Sequence, residues 1–178
     1  SGYGKIPVIS LSFTGLESNP GFKITLPMGL QLVNAVFLGD LLTDLQNQCR
    51  PYEIELGETA KKVQKWEDYL CTQLGRLKVV PRPLIRSWYK AIIEDFASIP
   101  RKKEKKVLVG VVGEIYVKYS PLGNNNLENF LLQEGAEVVV PGLMGFCLYC
   151  VYNTLEDRRL YGGNAAKTYA FRLAYDYL

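Results

Sequence analysis

Histidine is absent from this 178-residue chain, and no other absence excludes as much. Without an imidazole the chain holds no Ser-His-Asp or Cys-His arrangement and no His-ligated zinc site. Acid–base chemistry would fall to carboxylates, lysine, tyrosine or cysteine. Charge of one sign is also scarce: a net charge of +3 is too weak to imply a nucleic-acid partner. The basic cluster Arg101–Lys106 reads as a solvated loop ahead of a strand rather than a polyanion site. No apolar run approaches the ~20 residues that span a bilayer, and no signal peptide is legible. Four cysteines without regular spacing argue for reduced thiols and a cytoplasmic setting.

What is present argues for a folded chain. Nearly half the residues are apolar and twelve are tyrosine, which is against disorder. The length suits one well-cored domain or two small ones. The most informative stretch is Lys106–Leu143, which reads as strand, loop, helix, strand. Val107–Val112 is short, apolar and β-branched, as in a strand buried on both faces of a parallel sheet. Gly113-Glu114 follows at its carboxyl end. Asn124-Asn125-Asn126 offers side-chain oxygens to the free amides of a helix running to Gln133. Gly135 is its left-handed stop, and Glu137–Val140 is the next strand, ended by Pro141-Gly142. Open α/β sheets bind ligands beyond the carboxyl ends of their strands, which points to Gly113–Asn126.

Ahead of this unit, Ile6–Phe13 reads as a strand with Pro7 at its start or edge, and Thr14–Gly21 as a loop. Thr25 and Pro27 open a helix whose apolar face is Leu30, Val33, Phe37, Leu41 and Leu45, with Asp40 and Asp44 on another face. Thr59 is the expected cap of a second helix with Val63, Trp66, Leu70 and Leu74 on one stripe. Pro81 and Pro83 lead into a third, where Ile85, Trp88, Ile92 and Phe96 repeat. Leu143–Thr154 is apolar and helical by pattern. Asn164 is the expected cap of a last helix, with Tyr169, Leu173 and Leu178 on its apolar side. The strand at the start has no preceding partner, and the chain stops inside an apolar pattern. Both features read as an excised segment of a longer protein.

Each candidate site has a plainer alternative. Gly113 permits close backbone approach and Glu114 could bind a ligand or take a proton; a turn followed by a solvated carboxylate explains both equally well. Asn124, Asn125 and Asn126 precede a helix start that attracts anions, yet they match neither a phosphate loop nor a GxGxxG fingerprint, and simple capping suffices. Tyr116, Lys118 and Tyr119 lie between the two and would line or cover the same crevice. Cys147 and Cys150 have half the spacing of a metal site, but lie in an apolar run with no second pair, and read as buried structural thiols. Arg50 reads as a partner for helix-end carbonyls. No catalytic residue and no metal ligand is assigned.

Several ordered motifs resemble one family. Ile6–Leu11, Gly15–Pro27, Gly39–Leu42 and Arg50–Glu53, then Val109–Ile115, Asn124–Asn126, Glu134–Glu137 and Pro141–Leu143, are similar to the carboxy-terminal, dehydratase-like region of large 2-hydroxyglutaryl-CoA dehydratase activators. The resemblance covers nearly the whole chain. It implies stacked Rossmann-like domains, an iron–sulfur cluster and ATP in the parent protein, an anaerobic metabolism, and a 2-hydroxyacyl-CoA dehydratase or CoA ester as partner beside the remainder of the parent chain. The family's cysteine motifs lie before and after this stretch. None of Cys49, Cys71, Cys147 and Cys150 sits in one, and no ATPase phosphate loop is present, so no cluster ligand or ATP-binding residue is carried over.

The expected fold is α/β, with residues 1–100 forming a strand and helical segment and residues 101–178 opening a Rossmann-like subdomain. The expected function is a scaffold segment of such an activator, inactive alone and holding no cofactor itself. The alternatives are a module binding CoA or phosphate at Gly113-Glu114 and Asn124–Asn126, or an interaction domain exposing the helices of Trp66 and Trp88.

Overall fold

The computed structural model describes residues 25–77 and 79–162, together with Tyr169, Arg172 and Tyr175. The expected Ile6–Phe13 strand, the Thr14–Gly21 loop, the Asn164 cap, Leu173 and Leu178 lie outside the described residues. The protein is mostly helical with a small parallel sheet, a mixed α/β fold. In chain order the elements are α1 (Leu26–Cys49), α2 (Glu58–Arg76), α3 (Arg82–Ala97), β1 (Leu108–Gly110), α4 (Ile115–Tyr119), α5 (Leu127–Gln133), β2 (Glu137–Val139) and α6 (Leu143–Tyr161).

Local chemistry sets these boundaries. Thr25 Oγ1 accepts the Met28 amide at 3.4 Å, and Pro27 occupies the first turn of α1. Thr59 does not cap α2, as the sequence pattern implied. It lies inside the helix, fully buried, and Glu53 from the connector does the capping. Its carboxylate accepts the Gly57 amide at 2.7 Å and the Thr59 amide at 2.8 Å. Burial opposes the Glu53 charge, but these amides outweigh it and hold the carboxyl below its ordinary range. Arg50 likewise departs from expectation: its guanidinium donates to Asn129 Oδ1 at 2.9 Å instead of to helix-end carbonyls.

Two apolar clusters form. The larger joins α1, α2 and α3 through Leu38, Leu42, Leu70, Trp88, Ile92 and Phe96. The repeats expected for α2 and α3 face this core. On α1 the buried stripe is Leu38, Leu42 and Cys49, one residue round from the expected face, so Leu30, Val33 and Phe37 are only half-buried. Trp88 is buried, which removes it from any exposed patch of the kind an interaction domain would present. The smaller cluster is Val111, Val138 and Val140, flanked by Tyr119, Leu127, Leu131 and Leu132.

Strands β1 and β2 pair in parallel, with Leu108 opposite Glu137 and Gly110 opposite Val139. The expected burial of Val107–Val112 on both faces is not found: Val111 is 4% exposed but Leu108 is 63% and Val112 77%. Among the described residues, α1 and α5 pack on β2, so one face of the sheet is covered. Helix α1 therefore serves both clusters and also packs on α6. By length and composition alone α1 is apolar enough to cross a bilayer. The sequence reading missed this because polar residues interrupt the run without lowering its average. Arg101–Lys105 is exposed, as expected of a solvated loop, and Lys106 Nζ pairs with Glu104 at 3.2 Å.

Candidate functional site

The carboxyl end of β1 leads into Gly113, whose φ of 151° favours glycine. A side chain there would also meet Val117 Cγ1 at 3.5 Å. Glu114 is the N-cap of α4, a short helix the sequence pattern did not disclose. Its two carboxylate oxygens accept the Tyr116 amide at 3.0 Å and the Val117 amide at 2.7 Å. Both oxygens are thus occupied in starting a helix, where negative charge also complements the helix dipole.

The asparagines sit beyond α4. Asn124 Oδ1 accepts the Leu127 amide at 3.2 Å while its amide donates to the Val117 carbonyl at 2.9 Å. It thereby ties α4 to the start of α5. Asn125 and Asn126 hold φ values of 55° and 58°, a left-handed pair that asparagine tolerates. Asn126 Oδ1 accepts from Asn129 Nδ2 at 2.8 Å. Gly123 is packed under Tyr116, where an added Cβ would lie 2.6 Å from the ring. Gly113, Glu114, Asn124, Asn125 and Asn126 therefore flank α4 on the surface, and their polar contacts are with their own turns.

The strand-end crevice itself is built by other residues. A cavity of about 190 Å³ lies beyond β2, with Asp40, Asp44, Glu128, Tyr119, Pro141 and Gly142 in its walls. Asp40 organises it. Its oxygens accept the Leu143 amide at 2.9 Å and the Met144 amide at 2.8 Å, capping α6 across 103 residues of sequence. Helix α6 has no side-chain cap of its own, since Gly142 is its N-cap residue. Tyr119 Oη donates to the Pro141 carbonyl at 2.5 Å. Burial, reinforced by the Asp40 charge, raises the Asp44 carboxyl above its ordinary range. Three carboxylates in one small crevice repel phosphate, so this cavity does not suit a CoA diphosphate. Lys118 is buried beside it, with Nζ 5.0 Å from the Tyr119 ring centre and 5.6 Å from that of Phe146.

A second cavity of about 330 Å³ lies between α1 and α3, with Leu30, Val33, Phe37 and Ile85 as apolar walls. The sequence reading located neither cavity. The available signal for the first was an aspartate, Asp40, set in a long apolar helix.

Cys147 and Cys150 lie on α6 and are exposed, not buried as the apolar run implied. Partial desolvation of the Cys147 thiol, then Cys150 and Asp40, push its pKa up, which disfavours the thiolate. Cys49 is buried, and burial likewise raises its pKa. Among the described residues no three His, Cys, Asp or Glu side chains gather to hold a metal. Cys49, Cys71, Cys147 and Cys150 are thus not gathered into such a group among the described residues. Comparison of the chain with protein-family models, curated proteins and solved structures found no match.

Proposed function

We propose that this chain is a scaffold segment of a 2-hydroxyacyl-CoA dehydratase activator-like protein, cytoplasmic and without catalytic activity alone. In this reading the β1–α4–α5–β2 unit begins a Rossmann-like domain. The remainder of the parent chain supplies the cluster and ATP site, and the dehydratase or its CoA ester is the partner. One observation supports it above the others: the polar residues of the motifs that carry the resemblance bind one another. Asp40 holds the amide of Leu143. Tyr52 Oη donates to Glu137 Oε2 at 2.5 Å, a bond that, with burial, raises the Tyr52 pKa. Arg50 holds Asn129. Residues so engaged join the first part of the chain to the second; they are not left free for substrate.

The test has two arms. Purified protein assayed anaerobically with ATP and with a 2-hydroxyacyl-CoA is expected to turn over neither, and turnover of either overturns the reading. A double-mutant cycle of Tyr52→Phe and Glu137→Ala is expected to show measurable favourable coupling in stability. Additivity would mean that the motif pairing holds nothing together.

A further inference from the structure

We propose that the cavity between α1 and α3 binds an anionic amphiphile, an unbranched acyl chain ending in a carboxylate. This goes beyond the scaffold reading and does not depend on it. Its volume, about 330 Å³, lies at the lower end of the ~300–1,000 Å³ range of small-ligand pockets. Leu30, Val33 and Phe37 form an apolar stripe on α1, half-buried because the helix turns its neighbouring stripe to the core. Val80 and Ile85 close the opposite side, and Val80 belongs to the core cluster itself. The wall is fixed rather than frayed: Gln31 Nε2 donates to the Leu74 carbonyl at 3.2 Å and to that of Leu77, pinning the end of α2 alongside.

Charge selects the head group. Arg82 and Arg86 line the cavity, and among the described residues no carboxylate does. Arg86 makes no hydrogen bond or ion pair with a described residue. A neutral hydrocarbon would leave that guanidinium idle. A phosphate-rich ligand would find two cations but chiefly apolar walls. A fatty carboxylate satisfies both, with its chain on Val33 and Phe37 and its head at Arg86.

The experiment is isothermal titration of the full chain with decanoate below its micelle concentration, with decanol alongside. Saturable one-to-one binding of decanoate is expected, with decanol weaker. Arg86→Ala should weaken decanoate by about three- to tenfold without changing decanol. Val33→Asp should abolish binding, with far-UV circular dichroism checking that the helices persist. No saturable binding overturns the proposal, as does equal affinity for the two probes or an Arg86→Ala variant that binds as before. Concentration-dependent dimerisation lost in Val33→Asp would assign the face to a second copy of the chain, and also overturns it.

Discussion

Replacing Asp95 by asparagine tests the polar cluster that ties α2 to α3. Asp95 accepts from Lys62 Nζ at 2.5 Å, Lys65 Nζ at 2.9 Å and Trp66 Nε1 at 2.9 Å. Burial alone would raise its pKa, but the hydrogen bonds from Lys62, Lys65 and Trp66 outweigh it and hold the carboxyl at about 2. The drop from the ordinary 3.8 is equivalent to about 2 kcal/mol of stability at neutral pH. Asp95 is 20% exposed and Lys65 64%, so solvent screening reduces the expected effect of Asp95→Asn to about 1–2 kcal/mol. The sign follows from a folded-state pKa below the unfolded one. The stabilisation is whole above the ordinary carboxylate value and is lost as pH falls through about 2. Urea unfolding followed by circular dichroism should therefore show the full deficit at neutral pH, with variant and parent converging in strong acid. Tryptophan emission should report the same change, since the indole of Trp66 loses a charged acceptor. A neutral-pH deficit under ~0.3 kcal/mol, or one that persists unchanged in strong acid, would refute the reasoning.

Asp40→Ala removes the acceptor for two α6 amides and should cost about 1–2 kcal/mol, with faster hydrogen exchange at Leu143 and Met144. Gly142→Ala places a Cβ 2.6 Å from the Asp40 carboxylate; it should destabilise the parent but be better tolerated in the Asp40→Ala background, as a double-mutant cycle would show. Phe96, 1% exposed at the centre of the larger cluster, should cost about 3–5 kcal/mol as alanine in denaturant unfolding. Glu114→Ala should cost no more than about 1 kcal/mol, with the loss confined to amide protection at Tyr116 and Val117.

Much of the helical frame was legible because periodicity and breakers agree. The Ile85, Trp88, Ile92 and Phe96 repeat lies between Pro81 and Pro100, and α3 has no competing signal. The same holds for Gly135, whose φ of 84° fulfils the stop expected there. Three features were not legible, each for a physical reason. The one-sided burial of β1 depends on how many layers cover the sheet, which a run of valines cannot report. The face of α1 is ambiguous because the helix is apolar nearly all round, so two adjacent stripes fit the pattern. The third is long-range capping, by Glu53 for α2 and Asp40 for α6. A carboxylate distant in sequence does there what a local Ser or Thr does elsewhere. That also explains the candidate site: Glu114 and Asn124 were found as polar residues at turns, but their partners, the amides of Val117 and Leu127, appear only when the turns close.

The double duty of α1 has a consequence for how the protein is made. Asp40 is synthesised 103 residues ahead of Leu143, the partner whose amide it caps. At about 5–20 residues per second, the side of α1 that will meet β2 and α6 waits roughly 5–20 s on the ribosome after the helix itself has emerged. Contacts with α2 and α3 can shelter its other side within that interval. The order of translation thus favours completion of the three-helix cluster first, leaving the aspartate as a receptor into which α6 docks.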